Sequence, residues 1–435
     1  MITNLLAARS QMALSLGFHI VFACIGMVMP FLMVMAYHRY LRTRDAAYWT
    51  LTHAWLKGTA IFFAVGAVSG TVLSFELGLL WPNFMTWAGP IIGMPFSLEG
   101  AAFFTEAIFI GIFLYGRRHI PEWLHWWCGV VVGVSGVVSG IFVVAANAWM
   151  NSPSGFTLLN GTVTNIDPIA ALFNPAWLSQ ALHMTIAAFE AVGFGVAGLH
   201  AIYLLRNPNN ALHQKAFRIA ASVAIIAAIL QPLSGDFSAR DVAKRQPIKL
   251  AAMEAHFHTE AYAPLIIGGW PDTETQTVKG AIEIPGGLSF LIYRDSSKPI
   301  IGLAAFPRDQ WPSVPVVHIA FQVMVAIGMA LMVLAVLTLF FWLRRRPLPR
   351  WAMMLWALSA PLGIIAVEAG WTVTELGRQP WIIYGIMRTA DAVTALPGLL
   401  FQLGVFTAIY VSLAVVVTWL MLRQMRAFER VSETS

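Results

Sequence analysis

Carboxylates and imidazoles recur where the surrounding sequence is uniformly apolar. His19, Glu76, Glu99, Glu106, His183, Glu190, His200 and Glu368 lie inside long hydrophobic runs, with His318 and Glu375 at run ends. Each such group is disfavoured in a bilayer by about 2.5–3.5 kcal/mol on insertion scales, so each needs a partner or a task. Imidazole, thioether and carboxylate groups ligate iron, and carboxylates stepping along a helix can carry protons. Glu99 and Glu106 share one helix face about two turns apart. That spacing suits a proton relay toward a buried redox centre, and also a structural pair of hydrogen-bonded core carboxylates. His183 with Glu190, and Glu368 with Glu375, repeat the interval and leave the same two readings open. Glu375 falls in the run G-W-T-V-T-E-L-G-R-Q-P-W from Gly370 to Trp381, where Gly377 and Pro380 signal a helix stop. The helix dipole opposes a carboxylate there, so a cation is expected to compensate it, either a metal or Arg378.

The elements that must position these groups follow from composition. Of 435 residues, 58% are hydrophobic and 11% charged, against about 25% charged in soluble domains. This excludes a soluble globular protein and implies an all-α, polytopic membrane bundle. Nine apolar runs, near 17–36, 58–80, 92–115, 128–149, 178–203, 217–233, 316–342, 353–374 and 394–421, are long enough to span, the sixth marginally. Basic residues cluster at alternate connections (Arg39, Arg42 and Arg44; Arg117 and Arg118; Arg344–Arg346), which puts the N-terminus outside and the C-terminus in the cytoplasm. The net charge of +6 is therefore a topology signal and not a nucleic-acid patch. Two cysteines, Cys24 and Cys128, exclude a disulfide framework, a cysteine-ligated cluster and a C-x-x-C-H haem attachment. The chain divides into membrane helices over 1–233, a soluble outer loop over 234–315, and membrane helices over 316–435; no internal repeat is evident. In the loop, Lys249–Glu260 is rich in helix formers and the stretch after Gly280 leans to β-structure. With this topology His19, Glu99, His183, Met324 and Glu375 collect in the outer half of the membrane beneath the loop. His318, close to the start of its run, is expected at a solvated interface.

The motifs resemble those of subunit I of the cytochrome bd-type quinol oxidases over nearly the whole chain. They are A-R-S-Q-M-A-L-S-L-G-F-H (Ala8–His19), E-G-A-A-F-F-T-E (Glu99–Glu106), A-A-N-A-W-M-N-S-P (Ala145–Pro153), K-L-A-A-M-E (Lys249–Glu254) and the run ending at Trp381. The resemblance implies an electrogenic, copper-independent ubiquinol oxidase of the bacterial inner membrane that oxidises quinol at the outer face and reduces O2 with cytoplasmic protons. It implies His183 and Met324 as axial ligands of a low-spin haem b, and His19 and Glu375 as ligands of two high-spin haems. Trp371 and Arg378 would lie beside the haems, Glu99 and Glu106 would serve the oxygen site and its proton path, and Lys249 and Glu254 would serve quinol. The cofactors implied are two haem b and one haem d, or a third haem b in place of d. The partners implied are subunit II, a small single-helix accessory subunit, quinol, O2 and the lipid bilayer, with no nucleic acid.

Gln322 stands where the family often has Arg, which should lower the low-spin potential because a nearby cation favours the reduced state. The short loop and W-I-I-Y-G-I-M-R-T-A-D-A (Trp381–Ala392) resemble the cyanide-insensitive branch. A proton-coupled transporter would use the same carboxylates, but it leaves His183 with Met324, and Lys249 with Glu254, without a task. A quinone-linked cytochrome b carrier would lack only the oxygen chemistry.

Overall fold

The structure is a computed structural model and describes residues 3–433. In chain order its helices are α1 (Asn4–Thr43), α2 (Ala46–Leu80), α3 (Pro82–Tyr115), α4 (Glu122–Asn151), a short α5 (Pro168–Leu172), α6 (Trp177–Arg206) and α7 (Ala211–Arg245). Then come α8 (Pro247–Met253) and α9 (Gly287–Tyr293) in the long loop, followed by α10 (Val314–Leu343), α11 (Arg350–Ser359), α12 (Leu362–Gly377), α13 (Thr389–Ala392) and α14 (Leu399–Glu433). Among the described residues nine helical segments are long and apolar enough to cross a membrane, with α11 and α12 together forming the eighth. The helix starts follow local chemistry: Asp45 accepts from Ala47 N to cap α2, Asn210 accepts from His213 N to cap α7, and Pro82 opens α3.

Two spans differ from the sequence reading. The marginal sixth run belongs to α7, which continues to Arg245 on polar residues, so the loop begins twelve residues later than 234. The eighth breaks between Ser359 and Leu362, where Pro361 cannot donate a helix hydrogen bond. Close backbone approach fixes this broken span against α6: a Cβ at Gly363 would lie 2.4 Å from Ala191 Cα, and one at Gly198 would lie 2.6 Å from the Trp356 carbonyl. A core of side chains from α1–α4, α6, α7 and α10–α12 fills the bundle around Met33, Phe194, Trp356 and Leu331.

The loop over 246–313 is a folded cap. The strands β3 (Leu265–Ile267) and β6 (Ile282–Ile284) enclose the inner hairpin β4 (Trp270–Asp272) and β5 (Thr277–Lys279); with β1 (Thr157–Leu159), β2 (Thr162–Thr164), β7 (Trp381–Ile383) and β8 (Met387–Arg388) they form four two-stranded sheets. The segment after Gly280 is strand only to Ile284, and Gly287–Tyr293 is helical because Leu288 and Ile292, four apart, bury on one face. Helix α8 and Phe257 pack on Val317 of α10 and Val373 of α12.

This cap overturns the expectation for His318. Its side chain is fully buried, with Nδ1 2.8 Å from the Met253 carbonyl and Nε2 3.2 Å from the Gly268 carbonyl. The folded cap supplies the acceptors that solvent would otherwise supply. Replacing Gly363 by Ala should force α6 and α12 apart and destabilise the protein by about 1–3 kcal/mol. Thermal unfolding in detergent measures this; an unchanged Tm would show that the contact yields freely.

Candidate functional site

His19 and His183 are held in the same way. His19 Nδ1 lies 3.0 Å from Ser69 Oγ on α2, and the Ser69 hydroxyl donates to the Gly66 carbonyl at 3.1 Å. His183 Nδ1 lies 3.0 Å from Ser234 Oγ on α7, and the Ser234 hydroxyl donates to the Gln231 carbonyl at 2.9 Å. Because each serine has committed its proton to a carbonyl, each imidazole must donate from Nδ1. That fixes the tautomer and leaves the Nε2 lone pair for a metal, the arrangement that orients ligating histidines. The 3.4 Å approaches of Gln231 Nε2 to the His183 ring are too long to compete. A glycine follows each serine, and at the first it makes room for the ring: a Cβ at Gly70 would meet His19 Cε1 at 2.9 Å, whereas one at Gly235 would stand at ordinary contact distance, 3.5 Å, from His183 Cε1.

A continuous polar chain joins the cap to the end of α12. Lys249 Nζ donates to Asn151 Oδ1 at 2.6 Å, Asn151 Nδ2 donates to Asn147 Oδ1 at 3.1 Å, and Asn147 Nδ2 donates to Glu375. Glu375 is in turn paired with Arg378 at 2.7 Å, so the compensating cation at this helix end is Arg378. Arg378 is only 2% exposed, yet its Nε and Nη1 have no partner, and neither has the buried Trp371 Nε1. Such orphaned donors, facing no acceptor of the chain itself, fit an anionic group like a haem propionate. Met324 Sδ faces Gly370, where a Cβ would stand 3.0 Å away. Two free imidazole nitrogens, a thioether beside a glycine and unsatisfied donors together fit haem.

The carboxylates of α3 separate. Glu106 is buried and turns between α1 and α4, where a Cβ at Gly136 would lie 3.5 Å from either oxygen and one at Gly26 would lie 3.8 Å from Oε1. Glu99 is half-buried. In the cap, Lys249 is 3% exposed and packs its stem on Gly377. Burial, reinforced by the Arg378 charge and opposed by Glu375, pulls the Lys249 ammonium down to about 7. Glu254 is 5% exposed with one oxygen unpartnered, and burial pushes its carboxyl up to about 8. The two do not pair: Lys249 reaches toward α4, whereas Glu254 Oε2 is buried without a partner. Gln322 accepts from Gly268 N and donates to the Ile266 carbonyl, both at 3.0 Å, so it clamps the cap to α10. Sequence reasoning gave no role to Ser69, Ser234, Asn147 or Asn151, although both asparagines lie in the A-A-N-A-W-M-N-S-P motif. The signals were present as two Ser-Gly pairs and two asparagines one turn apart in an apolar span.

The family model for cytochrome bd terminal oxidase subunit I matches residues 7–428. A Bacillus subtilis (strain 168) protein described as a cytochrome bd menaquinol oxidase subunit I is 35% identical over 432 residues, covering 97% of each chain. A cytochrome bd ubiquinol oxidase subunit 1 of the same organism is 29% identical, over 98% of this chain and 94% of that one. The solved bd oxidase of Geobacillus thermodenitrificans superposes with a TM-score of 0.92 at 37% identity, covering 98% of this chain and 99% of that chain.

The lowered Lys249 pKa makes a stability prediction. The unfolded lysine titrates near 10.5 and the folded one near 7. Between these values the unfolded state holds the extra proton, so this residue's contribution to stability rises with pH over that window and its burden is greatest below it. Relative to Lys249→Met, the wild type should therefore gain Tm from pH 7 to pH 9; parallel Tm curves would refute a buried, depressed lysine.

Proposed function

Because the chain belongs to the cytochrome bd terminal oxidase subunit I family, we propose that it is the haem-holding subunit of a respiratory quinol:O2 oxidoreductase. In this reading the complex is completed by subunit II and accommodates a small single-helix accessory subunit, in the bacterial cytoplasmic membrane. The 246–313 cap faces outward, where quinol is oxidised, and the protons for water formation come from the cytoplasm. The relatives are named for menaquinol and for ubiquinol, so the quinol belongs to one of those classes. The observation that carries the reading is the pair of serine-held imidazoles with free Nε2 atoms, in a bundle whose Trp371 and Arg378 donors lack partners.

His183 and Met324 would hold a low-spin haem b, while His19 and Glu375 would hold two high-spin haems, a b and either a d or a further b. Haem held by these residues would supply reversible one-electron iron chemistry and a site for O2. The chain's own residues do the rest. Quinol oxidation releases two protons and two electrons; Glu254 accepts a proton from the quinol hydroxyl, and Lys249 in its charged form polarises a quinol oxygen. Glu106, set between α1 and α4, passes protons along α3 toward Glu99 and the oxygen site. Asn151 and Asn147 hold Lys249 and Glu375 in one hydrogen-bonded line and so fix the quinol site relative to the α12 end.

The primary test is a reduced-minus-oxidised spectrum of the purified oxidase with oxygen uptake on added quinol. Met324→Leu should convert the six-coordinate low-spin signal to high spin and leave the other haem signals in place; a low-spin spectrum that persists removes Met324 from the site. Glu254→Ala should depress quinol-driven turnover at least tenfold and spare oxygen reduction by an artificial donor that reduces the haems directly. In the wild type, quinol-driven turnover should be bell-shaped. It rises as Glu254 loses its proton toward about 8 and is cut on the alkaline side as Lys249, near 7, loses its charge. Equal loss of both activities in Glu254→Ala would contradict a quinol-specific role.

A further inference from the structure

The buried ring of His318 has an acceptor at each nitrogen. Nδ1 lies 2.8 Å from the Met253 carbonyl and Nε2 lies 3.2 Å from the Gly268 carbonyl, and the side chain is 0% exposed. A neutral imidazole carries one N–H and one lone pair, so in either tautomer one of these carbonyl oxygens would face a lone pair in a site closed to solvent. The doubly protonated ring donates to both.

The two carbonyls lie where the cap backbone needs holding. Met253 ends α8, so its carbonyl points past the last N–H of the helix, where a cation is favoured. The same peptide supplies the Glu254 N–H, which donates to the Leu250 carbonyl at 3.0 Å. Directly after it, Ala255 turns in the left-handed region at φ +48°, which costs an alanine energy and persists where its surroundings fix it. Gly268 lies in the β3–β4 turn at φ +67°, followed by Gly269 at φ +87°. Its N–H goes to Gln322 Oε1 and its carbonyl to His318, one turn earlier on α10.

Of the titratable groups on the elements packed around the ring, most are engaged elsewhere. Lys249 donates to Asn151, Glu375 pairs with Arg378 at the end of α12, Asp241 pairs with Arg245 on α7, and Asp272 pairs with Lys279 on the inner hairpin. His256 Nε2 faces the Ile300 carbonyl. Glu254, the residue after Met253, keeps Oε2 without a partner.

We propose that His318 is a positioning residue for quinol oxidation: as the imidazolium, donating from both ring nitrogens, it ties the peptide that carries Glu254 to α10 and to the β3–β4 turn. The proposal rests on the reading of Glu254 as the base that takes the quinol proton. With the Met253 carbonyl held by the ring, the Glu254 N–H held by Leu250 and the chain turned at Ala255, the carboxylate is set in one place. When the ring gives its second proton to the medium, a lone pair meets one of the two carbonyls, the clasp opens on that side and Glu254 loses its place.

The test follows quinol-driven kcat and KM of the assembled oxidase over pH, with oxygen reduction by an artificial donor that reduces the haems directly as the control. His318→Gln, whose amide cannot donate from two opposite sides, should lower quinol-driven kcat about tenfold with little change in KM, as expected of a displaced base, and spare the donor-driven rate. His318→Arg donates from separate nitrogens and stays charged, so it should restore kcat. Lys249 and Glu254 titrate in every form, so the ring is read from the difference between wild type and His318→Arg: the wild type should lose rate relative to the arginine variant on the alkaline side. Wild-type kcat in His318→Gln, or equal loss in both variants with haem retained, overturns the assignment. If neither variant assembles, protease protection of the cap is followed over pH in a Lys249→Met, Glu254→Gln oxidase, where those two groups no longer titrate. The cap should open on the alkaline side, and protection independent of pH overturns the assignment equally. Undiminished quinol turnover in Glu254→Ala would instead overturn the reading on which the proposal rests.

Discussion

The arrangement depends on a buried ion pair at a helix end. Arg378 and Glu375 meet at 2.7 Å with Arg378 almost wholly removed from solvent, and such a pair recovers its desolvation only when the remaining donors and acceptors are also satisfied. Glu375 meets that demand through Asn147, and the line continues through Asn151 to Lys249. Arg378 does not meet it within the chain, since two of its nitrogens remain without acceptors. The protein therefore carries an electrostatic requirement that an anionic cofactor satisfies, and the residue that makes the demand is tied by hydrogen bonds to the cap where quinol would bind.

Most of the scaffold was legible because the bilayer imposes a strong, simple pattern. Apolar runs of about 20 residues are hard to mistake, but the run over 353–374 reads as one unbroken span, and its break at Pro361, with the close packing on Gly198 and Ala191, becomes visible only with the neighbour in place. The cap was less legible. His318 read as interfacial from its place in the run, but burial is decided by residues 253 and 268, far along the chain, whose carbonyls close over it. The same limit hid Ser69 and Ser234: a serine in an apolar helix is unremarkable until the imidazole opposite is known. Asn147 and Asn151 were readable in principle, since two amides one turn apart in a membrane span need an explanation as much as a carboxylate does.

Gln322 shows how a substitution can be understood only partly from charge. A glutamine where the family often has arginine would lower the potential of a haem held by Met324, but the glutamine also grips Gly268 and Ile266 with both ends of its amide. A neutral donor and acceptor can satisfy a backbone N–H and a carbonyl together, which a guanidinium, having only donors, cannot. The residue thus exchanges an electrostatic influence on the site for a mechanical link between α10, which carries Met324, and the hairpins of the cap.

The cap also explains why a lysine and a glutamate can be buried near each other without forming a salt bridge. Burial lowers the Lys249 pKa and raises that of Glu254, so that near neutral pH Glu254 is mostly the neutral acid and Lys249 is close to half-charged. Both groups are therefore poised within about a unit of the pH at which they would act, and neither requires the other as a counter-ion. A quinol losing protons there would meet a carboxylate basic enough to accept one and, as the acid, able to release it again near neutral pH, and this reversibility is what repeated turnover requires.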